Sequence, residues 1–171
     1  SIGTPRGTGT ILDNDGAPVF TVANASITEG GILTFTISRL GDAQATQSVS
    51  FATSIGAGDT TSAGDFTPAS GTLTFAQGET SKTFTVQTTQ DSLLEDNETL
   101  TVTLSNATAG ATVSTTAGSA KGTIVNDDAA PVFSVANASI TEGGVLTFTV
   151  TRTGDAQATQ SVSFATSIGA G

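Results

Sequence analysis

Apolar residues alternate with Thr and Ser along most of the chain. In segments 33–37, 49–51, 73–75, 84–86 and 100–104, every second residue is Phe, Leu, Ile or Val. A two-residue period is the pattern of a β-strand that buries one face. Two further apolar runs, 20–23 and 122–125, bring the set to seven predicted strands, A to G. Seven short strands in about a hundred residues, separated by Gly-containing turns, predict an all-β, immunoglobulin-like sandwich.

The same pattern occurs more than once. Ala17-Pro18-Val19-Phe20 returns as Ala130-Pro131-Val132-Phe133, 113 residues later, and only six positions differ between 16–58 and 129–171. Segment 9–15 likewise corresponds to 122–128. A fixed period indicates tandem repeats. We therefore predict a C-terminal strand of one repeat over 1–15, a complete repeat over 16–128, and strands A–C of a further repeat over 129–171.

Composition excludes several functions. The formal net charge is −10, and the chain has no Cys, His, Trp or Tyr. An acidic chain lacks the basic face that nucleic acids require. Without Cys and His it also lacks thiolate and imidazole metal ligands and an imidazole base. No apolar run in this window approaches the ~20 residues of a membrane span.

The acidic residues are not evenly distributed. If successive strands run in opposite directions, connections A–B, C–D and E–F meet at one end of the sandwich, together with the end of strand G. Nine of the eleven acidic residues of the complete repeat then lie at this acidic pole: Glu29, Asp59, Asp65, Asp91, Glu95, Asp96, Glu98, Asp127 and Asp128. Asp42 and Glu79 fall at the other end, as do the three basic residues Arg39, Lys82 and Lys121.

Clustered carboxylates repel one another unless a cation is present or some are protonated. Calcium accepts six to eight oxygen ligands in irregular geometry, whereas magnesium demands a tighter octahedron. One acidic loop alone would indicate a solvated surface. Four converging elements favour a calcium site.

The complete repeat resembles the Calx-beta domain. The resemblance rests on 28–31, 63–66, 71–75, 78–80, Asp91 with 95–98, and 124–128, which together extend over nearly all of 16–128. It implies a seven-stranded sandwich that binds calcium at its distal loops. The positions that match the family's ligands are Glu29, Asp65, Asp91, Glu95, Asp127 and Asp128.

Departures from the family pattern reduce the expected charge of this site. Gln90 and Ser92 flank Asp91, and Asn126 precedes the final Asp pair. We therefore expect one or two calcium ions per complete repeat, bound weakly. Glu98 is interpreted either as a ligand or as a structural hydrogen-bond acceptor, and Asp59 and Asp96 are interpreted as solvated.

The sequence favours a structural repeat of an extracellular or cell-surface fibre, sheath or adhesin, in which calcium stiffens the joint between successive domains. The alternatives are an adhesive module that recognises a glycan or a surface, and a calcium sensor. An enzyme is not expected, because paired carboxylates such as Asp91 and Glu95 share one short loop with no stacking aromatic residue. The expected partners are neighbouring repeats of the same chain or of identical chains, and either could complete the third repeat.

Overall fold

The computed structural model describes residues 3, 6–12, 14 and 16–168. Eleven β-strands and no helix occur in these residues, so no helix there could cross a membrane. The strands are β1 (Val19–Val22), β2 (Ala25–Thr28), β3 (Ile32–Leu40), β4 (Gln47–Ser54), β5 (Ser70–Phe75), β6 (Ser81–Gln87), β7 (Glu98–Ser105), β8 (Thr112–Val113), β9 (Ser119–Val125), β10 (Val132–Val135) and β11 (Val150–Thr153).

Nine of these strands form a sandwich from the complete repeat. One sheet has the order β6-β3-β1-β8, and the other has the order β2-β9-β7-β4-β5. The alternating apolar side chains of both sheets point inward and form one core. Phe84 of the first sheet stacks on Phe51 of the second, with ring centroids 3.8 Å apart. The predicted sandwich is therefore confirmed.

Strand A differs from its prediction because it divides between the two sheets. β1 pairs antiparallel with β3, and β2 pairs parallel with β9. The chain crosses between the sheets at 23–24, where the Asn24 side chain accepts a hydrogen bond from the Lys121 amide at 2.8 Å. β2 was missed because only Ala25 and Ile27 turn partly inward, which is too short for a periodic pattern. The two-residue β8 was missed for the same reason.

The strand directions agree with the predicted alternation. β4 is antiparallel to both β5 and β7, and β7 is antiparallel to β9. β3 and β6 are antiparallel as well. Connections β2–β3, β4–β5 and β6–β7 therefore lie at one end, with the C-terminus of β9.

The third repeat forms less structure than predicted. Its only strands among the described residues are β10 and β11, which pair as the counterparts of β1 and β3. The expected strand C near Val162 and Phe164 does not form. In the complete repeat its counterpart β4 pairs with β5 and β7, and residues 129–168 contain no counterparts of those two strands. The repeat boundaries after 15 and after 128 remain a prediction.

Asp59 was predicted to be solvated, and this was wrong. Its side chain is fully covered and pairs with Lys121. The Thr99 and Thr101 hydroxyls and the Gly56 amide also donate to its carboxylate, at 3.2, 2.6 and 2.8 Å. Burial alone would raise the pKa of Asp59, but the Lys121 ammonium, the Thr101 hydroxyl and the Gly56 amide lower it to about 2. The pair therefore anchors loop 55–69 to β7 and β9. It also means that Lys121 does not belong to the opposite end.

A buried arginine organises the end of the sandwich opposite to the acidic pole. Arg39 is 2% exposed and lies over the Phe75 ring. Its guanidinium donates to the carbonyls of residues 43, 45 and 76 and to the Gln47 side chain. A buried guanidinium costs desolvation free energy, which these bonds to oxygen and the aromatic face offset.

Replacing Arg39 by Met should lower the free energy of unfolding by about 2–4 kcal/mol, because it leaves these buried oxygens without donors. Arg152→Met is the matched control, since Arg152 is the counterpart in the third repeat and is exposed. We expect it to change stability by less than about 0.5 kcal/mol. Urea unfolding followed by circular dichroism measures both. Equal losses for the two variants would contradict the assignment of Arg39 as a core element.

Candidate metal centre

The acidic pole gathers side chains from four elements. Glu29 follows β2, Asp65 lies in the β4–β5 loop, and Asp127 and Asp128 follow β9. The β6–β7 loop and the first residue of β7 supply the others: Asp91, Glu95, Asp96 and Glu98. A shallow cleft between them is lined by Glu29, Asp65, Thr89, Asp91, Glu95, Asp96, Glu98, Ile124 and Asn126. All six sequence-predicted ligands thus lie at one end.

The turn after β2 sets the position of Glu29. Gly30 has a φ of +72°, and a Cβ there would meet the Gln90 side-chain oxygen at 2.6 Å. Only glycine fits such a left-handed residue against this neighbour without strain. The Glu29 carboxylate then accepts the Asp91 amide at 2.9 Å, which ties the turn to the β6–β7 loop.

Asp65 is held by its neighbours along the chain. Phe66 is buried and bridges to Thr88, while the Thr89 amide donates to the Asp65 carbonyl at 2.8 Å. The Asp65 carboxylate accepts both the amide and the hydroxyl of Ser62. The backbone is therefore fixed by the core.

The β6–β7 loop has no regular structure and is ordered by polar contacts. The Leu93 amide donates to Asp91 at 2.7 Å. The Glu95 amide donates to the Asn126 side chain at 3.2 Å, and Gln90 donates to Asp127 at 3.1 Å. Gln90 and Asn126, the uncharged residues that reduce the charge of the acidic pole, thus connect the loop to the residues that follow β9.

The carboxylates form two groups. Oxygens of Glu29, Asp127 and Asp128 lie within 4.8 Å of one another, and so do oxygens of Asp65, Glu95 and Glu98. Asp91 belongs to neither group, although its loop connects them. Five of the six predicted ligands therefore occur in groups tight enough for a shared cation.

Glu98 is the residue that the prediction left ambiguous. It is the first residue of β7, and its carboxylate lies in the second group together with those of Asp65 and Glu95. Strand alternation had already placed Glu98 at the acidic pole. This position was the signal in the sequence that could have identified it as a ligand. Asp96, by contrast, is exposed and belongs to neither group.

Burial and the proximity of the carboxylates to one another disfavour their ionised forms. Burial, the Asp65 hydrogen bond and charge, and then Glu95 and Glu29 raise the pKa of Glu98 to about 7. Burial raises the pKa of Glu95, with Asp65 and Asp91 as the next causes. The pKa of Glu29 is raised by burial and nearby carboxylates, against the lowering effect of the Asp91 amide. The pKa of Asp128 is raised as well, by burial first and then by Asp127, Asp91 and Asp155.

The donor set fits a hard divalent cation. It consists of carboxylate oxygens with the Asn126 amide and the Thr89 hydroxyl beside them, and no nitrogen or sulfur ligand is near. Calcium prefers such oxygens. One oxygen of Asp128 is buried without a hydrogen-bond partner among the described residues, which a bound cation would satisfy. Two separate groups can each hold one ion.

The Calx-beta domain model matches residues 13–128 and again 126–171. The chain therefore belongs to the Calx-beta family, as its sequence motifs predicted.

Known relatives agree with this membership. The apo form of the Calx CBD1 domain superposes with a TM-score of 0.60 at 22% identity, over 66% of this chain and all of that one. The calcium-binding domain CBD12 of CALX1.1 gives 0.56 at 25% identity, over 64% of this chain and 44% of that one. Adhesion G-protein coupled receptor V1 of Danio rerio is 34% identical over 104 residues. That match covers 61% of this chain but only 2% of the receptor.

Without calcium, the thermal stability should fall as the pH rises from 5 to 8. The pKa of Glu98 is about 7 in the fold, against an ordinary value of 4.5. Its protonated form therefore stabilises the fold fully below pH 4.5, and this contribution is lost as the pH rises through 7. Melting followed by circular dichroism in calcium-depleted buffer measures the slope.

Glu98→Gln should flatten this dependence and raise the melting temperature at pH 8, because it removes one charge from the group. Asp96→Asn is the control in the same loop and should keep the wild-type slope, since Asp96 is exposed. A melting temperature that stays constant or rises from pH 5 to pH 8 would show that the carboxylates do not repel as described.

Proposed function

We propose that residues 16–128 form a calcium-dependent structural repeat, and that calcium at the acidic pole stiffens its joint with the following repeat. The observation that carries this proposal is the position of the first carboxylate group. Asp127 and Asp128 belong to a group with Glu29, and they lie directly before the boundary that we predict between residue 128 and the next repeat. A cation held there lies directly at the junction.

The ligands that we assign are Glu29, Asp65, Asp91, Glu95, Asp127 and Asp128, with Glu98 as an addition. Glu29 with the Asp pair would hold one ion, and Asp65 with Glu95 and Glu98 would hold the other. Asp91 would join them from the connecting loop. A solved relative that carries the name calcium-binding domain supports the choice of ion. Affinities at the sub-millimolar to millimolar level are typical of extracellular modules.

The linker supports a mechanical role. Only 129–131 separate Asp128 from β10, which is too short for a flexible tether. Neutralising the repulsion among the carboxylates would hold the loops that face the next repeat in one arrangement. An array of such repeats would be stiff with calcium and loosely coupled without it.

The wider setting follows from the same features. A Cys-free, acidic and repetitive chain suits an extracellular or cell-surface fibre, sheath or adhesin, and the similarity to an adhesion receptor supports this. The partners would be neighbouring repeats of the same chain or of identical chains. The module would act without catalysis. In this proposal the clustered carboxylates serve as calcium ligands at the joint.

Small-angle X-ray scattering of the whole chain tests the joint. With about 10 mM calcium, which exceeds the expected dissociation constant, we expect a narrow distribution of dimensions. In EDTA we expect a broader distribution and a changed maximum dimension, because repulsion loosens the junction.

The double variant Asp127→Asn, Asp128→Asn should lose this response. Asp42→Asn changes a carboxylate at the opposite end of the repeat and should keep it. A wild-type maximum dimension that is the same with calcium and with EDTA would overturn the proposed function.

A further inference from the structure

The turn between the predicted strands B and C occurs twice, at 41–42 and at 154–155. In each copy the turn is hydrogen-bonded to the linker at the start of its own repeat. The Asp42 amide donates to the Gly16 carbonyl at 3.1 Å, and the Asp155 amide donates to the Ala129 carbonyl at 2.8 Å. Gly41 and Gly154 precede these residues with φ of +85° and +81°. A Cβ on Gly154 would meet the Ala130 carbonyl oxygen at 2.4 Å. Each linker is therefore held by a backbone hydrogen bond to the repeat that follows it.

The two turns differ in the burial of their aspartate. Asp155 is buried, with 7% of its surface exposed, whereas Asp42 is only partly buried. The residues that immediately follow are the same in both turns, Ala-Gln-Ala-Thr-Gln. Asp155 follows the complete repeat, whose acidic pole ends at Asp128.

The turn that contains Asp155 contacts the preceding repeat. The Gln157 side chain donates to the Ser92 hydroxyl at 3.4 Å, which links this turn to the β6–β7 loop of the preceding repeat. The charge of Asp155 also contributes to the raised pKa of Asp128. Asp155 itself accepts only the Gln157 amide, at 2.8 Å, and no cationic side chain pairs with it among the described residues.

We propose that this turn docks on the acidic pole of the preceding repeat and brings Asp155 as a like charge against Asp128, so that the joint closes fully only when a divalent cation neutralises the pole. The inference rests on the proposed function and names the residue through which the next repeat responds to calcium. Asp128 has a buried oxygen that lacks a partner, and the charge of Asp155 in the next repeat acts on its carboxyl group. Without the cation, repulsion between the two carboxylates keeps the repeats apart. A bound cation removes this repulsion.

Asp155→Asn removes the charge of this side chain and keeps its hydrogen bond. The asparagine keeps an oxygen for the Gln157 amide, and the backbone bond to Ala129 does not involve the side chain. Asp42→Asn is the matched control, because it makes the same change in the equivalent turn, away from the junction between Asp128 and β10. Neither residue belongs to the assigned ligands.

Distances between two spin labels across the junction provide the measurement. The chain has no Cys, so Thr103→Cys and Thr147→Cys, both at exposed positions, place one label on each repeat of the whole chain. For the parent pair, double electron–electron resonance should give a broad distance distribution in EDTA and a narrow one with calcium chloride. With Asp155→Asn we expect the narrow distribution in both buffers, while Asp42→Asn should behave like the parent.

The outcomes are distinct. A calcium response that Asp155→Asn leaves unchanged overturns this inference and leaves the proposed function intact. A parent pair without any calcium response overturns both. Loss of the response in Asp42→Asn as well would assign the effect to turn stability rather than to the charge at the junction, and would also overturn the inference.

Discussion

Antiparallel alternation of the strands is the constraint on which the acidic pole depends. Because β3, β4, β5, β6 and β7 alternate in direction, and β2 and β9 run parallel to each other, connections β2–β3, β4–β5 and β6–β7 and the C-terminus of β9 lie at the same end. Residues as distant as Glu29 and Asp128 then become neighbours, although 99 positions separate them along the chain. The core that enforces this order is built from short alternating strands, in which Phe51, Phe84 and Phe35 stack between the sheets.

The carboxylates oppose the fold that assembles them. Burial and mutual repulsion raise the pKa of Glu29, Glu95, Glu98 and Asp128, so their ionised forms carry a free-energy cost near neutral pH. Asp59 shows the opposite case, since Lys121, the Thr101 hydroxyl and the Gly56 amide lower its pKa against the effect of burial and make it an anchor. The same type of side chain is thus a stabilising anchor where Lys121 neutralises its charge, and a source of repulsion where the neighbouring groups are other carboxylates.

Much of this could be predicted from the sequence, and the reasons are local. Two-residue periodicity gave the sandwich, and alternation gave the composition of the acidic pole. The pairing of Asp59 with Lys121 could not be predicted, because it depends on loop 55–69 folding back onto β7 and β9, and loops carry no periodic signal. The division of strand A was missed because β2 shows only two inward residues. Neither the division of the carboxylates into two groups nor the position of Asp91 outside both could be predicted. The β6–β7 loop is held by hydrogen bonds from Gln90 to Asp127, from the Leu93 amide to Asp91 and from the Glu95 amide to Asn126, and these follow no sequence pattern.

The central claim is that calcium binds at the acidic pole, and a calcium titration followed through the backbone amide signals of the isotope-labelled chain tests it most directly. The account predicts saturable shifts confined to the Glu29 turn, to Asp65, to 91–98 and to 126–128, with the turn at Gly41 and Asp42 unchanged. Shifts that do not saturate, or that spread evenly over exposed carboxylates such as Asp42 and Glu79, would contradict it.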